Sequence, residues 1–270
     1  MSAAVSSAVL PEWVVSVVPL EDSRRGGEGS HDLHELDGFV ARIANDGRRV
    51  ATFLIDPSRP KKELDAILAF GVQLILRREG RLDLHAAAVA PGRNDGGLLI
   101  IGQKGAGKSS LTVALALSGW TFFSDDHVMV WRAETGLRVA GLRVPLFLTP
   151  DAAERLPQGL PKGRHVPSLG KRMFQPGELF PGQHRIEAPL TTVVFPERVS
   201  DGSSSLEPIR AVESFQRLLA LTPFLAADPS ARPCLEVARS IADLPSFVLR
   251  AAPDLLDPQT ASRLLASAFA

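Results

Sequence analysis

Leu98–Ile101 is an apolar run that leads directly into Gly102-Gln103-Lys104-Gly105-Ala106-Gly107-Lys108-Ser109, and Leu111–Leu117 then returns to apolar helical spacing. A strand that must turn into a helix through three glycines leaves few architectures open. The octet fits G-x-x-x-x-G-K-S/T. Its glycines let backbone N–H groups converge on phosphate oxygens without side-chain obstruction. The helix that follows adds a favourable dipole and unsatisfied donors. Lys108 can reach the β- and γ-phosphates of a nucleotide, and the Ser109 hydroxyl can ligate magnesium. Gly102, Gln103, Lys104, Gly105, Ala106, Gly107, Lys108, Ser109 and Ser110 are therefore the candidate nucleotide-binding residues. Lys104 adds positive potential or is a solvated loop lysine.

The flanking segments set the fold class. Leu84–Ala90 reads as a buried strand, and Pro91–Gly96 is dense turn chemistry. So short a connection to Leu98 holds no crossover helix, which makes these two strands antiparallel neighbours. Gly119 ends the helix and Trp120–Ser124 begins another strand, a βαβ arrangement, so the sheet is mixed. Further strands are expected at 127–132, 137–144, 189–194 and 246–250, with helices at 212–221, 234–244 and 259–269. Residues 81–270 are thus an α/β domain with a mixed β-sheet flanked by helices. Residues 1–80 read as a small N-terminal α+β region: a hairpin of 39–43 and 49–55 around Asn45-Asp46-Gly47, then a helix over 62–77. Residues 21–37 read as a loop or linker.

Beyond the glycine loop, Asp125 and Asp126 end the strand that returns parallel to Leu98–Ile101. Its carboxyl end lies level with the loop, where open α/β sheets place ligands. A carboxylate there can hold magnesium or accept a proton from an attacking hydroxyl. A hairpin centred between Arg93 and Asn94 puts His85 opposite Gly102, at the mouth of the same site. His31 and His34 are three apart without a further metal ligand in view. The segment 162–174 gathers Lys162, Arg164, His165, Lys171 and Arg172, either as a mobile loop closing over phosphates or an acceptor, or as solvated charges.

Composition bounds the partners. Thirty Lys and Arg balance thirty Asp and Glu, so no chain-wide basic surface for nucleic acid or anionic lipid is expected. Only six of the thirty cations are lysines, which makes Lys108 more informative than any arginine. The single Cys234 excludes an internal disulfide and reads as a core residue. The N-terminal stretch has no basic n-region, and no apolar run is long enough to span a bilayer. A soluble, cytoplasmic protein is expected, with no membrane partner.

The segments LHAAAVA, GGLLIIGQKGAGKSSLTVALALSGW and TFFSDDHVMV together resemble the C-terminal catalytic domain of the HPr kinase/phosphorylase family, and more closely its relatives, the HprK-related kinases, some of which modify ribosomal peptides. The strong similarity covers about residues 82–131. It implies a P-loop kinase domain that uses ATP and Mg2+. Lys108 and Ser109 would serve nucleotide and metal, Asp126 would assist at the metal, and Asp125 would be the base that deprotonates the acceptor, supported by Asp126 and His85. The acceptor implied is a Ser or Thr of a peptide or small protein, with a homo-oligomer left open. Lys104 and Ser110 differ from the family's usual residues, and Leu137–Leu148 holds no counterpart of its downstream glycine-rich signature, which sets the chain apart from the HPr enzyme itself. A small-molecule kinase with the same site and a non-catalytic ATP-binding regulator are the two rival readings.

Overall fold

A computed structural model describes residues 14–20, 31–36, 39–44, 49–92, 95–142, 145–154, 160–227 and 231–269. The chain forms two compact units, divided after Arg78, against a boundary read near residue 80 from the sequence.

In the first unit, strands β1 (Val14–Pro19), β2 (His31–Leu36), β3 (Phe39–Ala44) and β4 (Val50–Ile55) make one sheet, ordered β1-β4-β3-β2. Helix α1 (Lys61–Arg78) buries Gly71, Leu74 and Ile75. A Cβ on Gly71 would lie 2.7 Å from the Phe53 ring, so only glycine allows this packing distance. The β3–β4 pair is antiparallel as the sequence predicts, while the Asn45–Gly47 turn lies outside the described residues. Part of the expected linker 21–37 is instead a strand, β2, paired antiparallel with β3. Its polar composition fits a sheet edge, where nothing apolar is demanded on both faces.

The second unit opens with β5 (Leu82–Leu84), β6 (Ala86–Ala90), β7 (Gly97–Ile101), α2 (Lys108–Leu117), β8 (Thr121–Ser124), β9 (Val128–Ala133) and β10 (Gly136–Gly141). A smaller group follows: β11 (Leu146–Leu148), α3 (Pro150–Glu154), β12 (Arg164–Val166), β13 (Lys171–Phe174) and α4 (Pro176–Leu179). The chain closes with β14 (Glu187–Arg198), β15 (Ser205–Ile209), α5 (Ala211–Leu221), α6 (Phe224–Ala227), α7 (Arg232–Ala242), β16 (Ser246–Ala251) and α8 (Pro258–Ala266). The main sheet is mixed and runs β5-β9-β10-β14-β7-β6-β8, with β16 joined to β14 and β15 to β16.

Strands β6 and β7 read as unbroken apolar runs because both faces are covered. Ala86, Ala88, Leu99 and Ile101 pack with Leu218, Val237 and Ile241 of α5 and α7. Ala87, Val89, Leu98 and Ile100 pack with Leu111, Leu115 and Leu265 of α2 and α8. Cys234 is fully buried in the first of these layers. The expected single strand 84–90 is divided at His85, because β5 pairs with β9 whereas β6 pairs with β7 and β8. The basic segment 162–174 is not a free loop: β12 and β13 form an antiparallel sheet with β11. Leu146, Leu148 and Phe174 anchor that sheet on Val113, Ala116 and Phe122.

Candidate active site

The glycine loop leaves β7 at the sheet's carboxyl edge. A Cβ on Gly102 would meet Ala106 at 3.3 Å and Pro196 at 3.4 Å, so glycine there lets the loop fold tightly against β14. Gly105 and Gly107 take φ of 87° and 93°, the left-handed region that disfavours any side chain. Nothing lies within 4 Å of a Cβ at either, so open space adjoins the loop at both positions. The Ala106 N–H donates to the Gln103 carbonyl at 3.2 Å, and the Leu111 N–H to the Gly107 carbonyl at 2.9 Å. Helix α2 has no side-chain cap at Gly107.

Lys108 begins this helix and is only 6% exposed. Its Nζ donates to the carbonyls of Gly102 at 2.8 Å and Gln103 at 3.2 Å. Burial pushes the ammonium pKa down, and the charge of Asp125 partly opposes that shift. A buried cation held at the base of an open, glycine-lined loop fits an anion such as a nucleotide phosphate.

The acidic pair is placed by a bulge. Pairing of β8 with β6 slips between Phe122 and Ser124, and the Ser124 hydroxyl then accepts from the backbone N–H groups of Asp126 and His127, at 3.5 and 3.3 Å. Gly141 permits this geometry, since a Cβ there would stand 2.2 Å from the Phe123 carbonyl oxygen. The two carboxylates meet different surroundings. Asp125 is buried near Lys108. Asp126 is 28% exposed on its side chain, with Oδ1 3.0 Å from Nδ1 of His85, which is 60% exposed. The register of β6 and β7, Ala86 against Ile101, extrapolates to His85 opposite Gly102, as the hairpin argument requires.

A cavity of about 960 Å³ gathers His85, residues 104–110, Asp125 and Asp126 on one surface. Gly102 and Gln103 instead line a second cavity of about 440 Å³ behind the loop. Three further charged residues line the first cavity: Asp151 of α3, Lys171 of β13 and Arg198 at the end of β14. Of the basic segment, only Lys171 reaches it, while Arg172 donates to the Lys162 carbonyl at 3.1 Å. His34 belongs to the first unit, His165 is exposed on β12, and His184 packs against Phe122. His127 lies 3.9 Å from Asp83, beyond hydrogen-bond reach. No group of three or more His, Cys, Asp or Glu able to hold a metal occurs among the described residues. A magnesium ion at Ser109 and Asp126 would thus complete its shell with phosphate oxygens and water, the usual arrangement for this metal.

No family model matches this chain, and no curated protein does. Among solved structures, the HPr(Ser) kinase/phosphatase from Coxiella burnetii matches 69% of this chain and 89% of its own, at 13% identity and a TM-score of 0.39. That is a distant resemblance in fold. No helix among the described residues is long and apolar enough to cross a membrane.

Proposed function

We propose that the chain is an ATP-dependent, magnesium-requiring kinase that phosphorylates a hydroxyl, the acceptor being Ser or Thr of a cytoplasmic peptide or small protein. The observation that carries this reading is the meeting, in one cavity, of a buried lysine under an open glycine loop and a His-supported carboxylate. One part suits a phosphate chain and the other suits an attacking hydroxyl.

Exposure divides the work of the two acids. Asp126, open to the cavity and held by His85, is the better placed to take the acceptor proton. Asp125 stays beside Lys108 and balances its charge. This reverses the order that the family resemblance implies for the pair. The acceptor oxygen attacks the γ-phosphorus as its proton passes to the Asp126 carboxylate, and the bond from the γ-phosphorus to its bridging oxygen breaks, with the electron pair leaving on ADP. Backbone amides of the loop and Lys108 stabilise the charge that spreads over the phosphoryl oxygens. Magnesium, when bound at Ser109 and a carboxylate of the pair, supplies further neutralisation of the β- and γ-phosphates.

The test is transfer of the terminal phosphate of ATP to Ser- and Thr-containing peptides, read by mass spectrometry. Asp126→Asn should lower turnover at least about 100-fold, and Asp125→Asn should act mainly on nucleotide affinity. Full activity in both variants overturns the assignment. ATP binding without phosphorylated product from any acceptor overturns the transferase in favour of a regulator.

A further inference from the structure

Arginines are plentiful in this chain, and two of them stand near each other at the carboxyl end of β14 with opposite fates. Arg217, from α5, donates to Glu197 at 2.7 Å and to Glu213 at 3.0 and 3.1 Å, and its guanidinium lies 5.8 Å from the Phe195 ring centroid. It is fully engaged. Arg198 makes no ion pair among the described residues, although Glu197 is its neighbour in sequence. Strand alternation explains this, because Glu197 and Arg198 point to opposite faces of β14. Glu197 faces Arg217. Arg198 shares its face with Pro196, the residue packed against Gly102 at the root of the glycine loop.

The backbone at Arg198 is fixed as well. It pairs with Ala251 of β16, and the next N–H, that of Val199, donates to the Ala251 carbonyl at 3.0 Å. Pro196 and Arg198 line both the 960 Å³ and the 440 Å³ cavities, so this strand end runs along the rim that separates them, with the glycine loop on it. The exposed Arg198 side chain, with no ion-pair partner among the described residues, lines both cavities together with Lys104, Gly105 and Ala106 of the glycine loop. Lys108 is engaged with two carbonyls and has Asp125 as its countercharge, so a second cation on the rim adds net positive charge for a phosphate chain.

We propose that Arg198 is a phosphate-binding residue of this site, gripping the phosphate chain of the nucleotide from the β14 side while Lys108 holds it from beneath. Arg198 is exposed on the rim, and its planar guanidinium suits two phosphate oxygens at once. The assignment rests on the nucleotide-binding part of the proposed function and adds a residue that no motif marks.

The experiment is calorimetric binding of ATP, ADP and AMP to the full chain, comparing wild type with Arg198→Ala, Arg198→Lys and the control Arg239→Ala on the exposed side of α7. Arg198→Ala should weaken ATP about 10-fold or more and ADP to a similar or smaller degree. AMP affinity should stay within about twofold, Arg198→Lys should fall between, and melting without nucleotide should be unchanged. ATP binding by Arg198→Ala at wild-type strength overturns this assignment alone. Equal weakening of ATP and AMP also overturns it, because a structural role does not scale with phosphate number. A wild-type protein that binds none of the three overturns the nucleotide site, and this assignment with it.

Discussion

The two units bury different things. The first closes its sheet and helix around Phe39, Ala41, Ile43, Ala51, Phe53, Leu74 and Ile75, with Phe39 tilted against Phe53 and edge-on to Phe70. Every described residue buried there is apolar or glycine. The second unit has apolar layers of the same kind, yet it also buries Asp83, Lys108, Thr112, Ser124 and Asp125. Burying an ion costs folding free energy unless it is paired or hydrogen-bonded. Lys108, Thr112, Ser124 and Asp125 stand at the glycine loop and the end of β8, whereas Thr192, Ser214, Thr222 and Ser246 are buried elsewhere in the unit, Ser214 against Ser246 at 2.9 Å. The contrast separates a unit shaped by packing from one that also buries charge, with Lys108 and Asp125 enclosed near each other.

The largest effect that would sharpen this contrast is expected from Lys108→Met. It should weaken ATP binding roughly 100-fold, because charge-assisted contacts to phosphate are lost. The melting temperature without nucleotide should change by no more than about 3 °C, since the variant also removes a partly desolvated ammonium. A large drop in melting temperature with intact ATP affinity would make Lys108 a structural residue and erase the distinction between the units.

An intermediate effect is expected in the first unit. Gly71→Val should cost about 2 kcal/mol in urea unfolding, because the new side chain is driven into the Phe53 ring and outweighs any gain in helix propensity. Affinity for ATP should not move. A coupled loss of nucleotide binding would show that the first unit takes part in the site.

The smallest effect concerns His184 of the second unit. Burial against Phe122 lowers its pKa from the ordinary 6.5. The unfolded chain therefore binds more protons than the folded one between the lowered pKa and 6.5, so stability falls as pH drops through that window. His184→Gln should flatten this part of the melting-temperature profile between pH 5 and 7. An unchanged acid slope would place the sensitivity on other groups.

Much of the site was legible in residue order because its chemistry is local. The glycine loop occupies eight consecutive residues, and its strand and helix adjoin it. His85 could be placed through one short hairpin, since register across a tight turn is simple arithmetic. The acids at 125 and 126 could not be ranked, because their difference arises from the bulge at Phe123 and the close passage of Gly141, a residue from another hairpin. The polar β2 and the β12–β13 pair carry little apolar signal of their own, so residue order alone reads them as loops.

Sequence by itself determined the strand–loop–helix, the mixed sheet around it and which lysine stands at the start of that helix. Only the tertiary structure decided that Asp125 is enclosed while Asp126 is open, that Lys171 alone of the basic segment reaches the cavity, and that Arg198, without an ion-pair partner among the described residues, lines it too. The physical reason is that a loop's backbone follows from local glycine geometry, whereas the burial and charge balance of a side chain depend on strands brought together from distant parts of the chain.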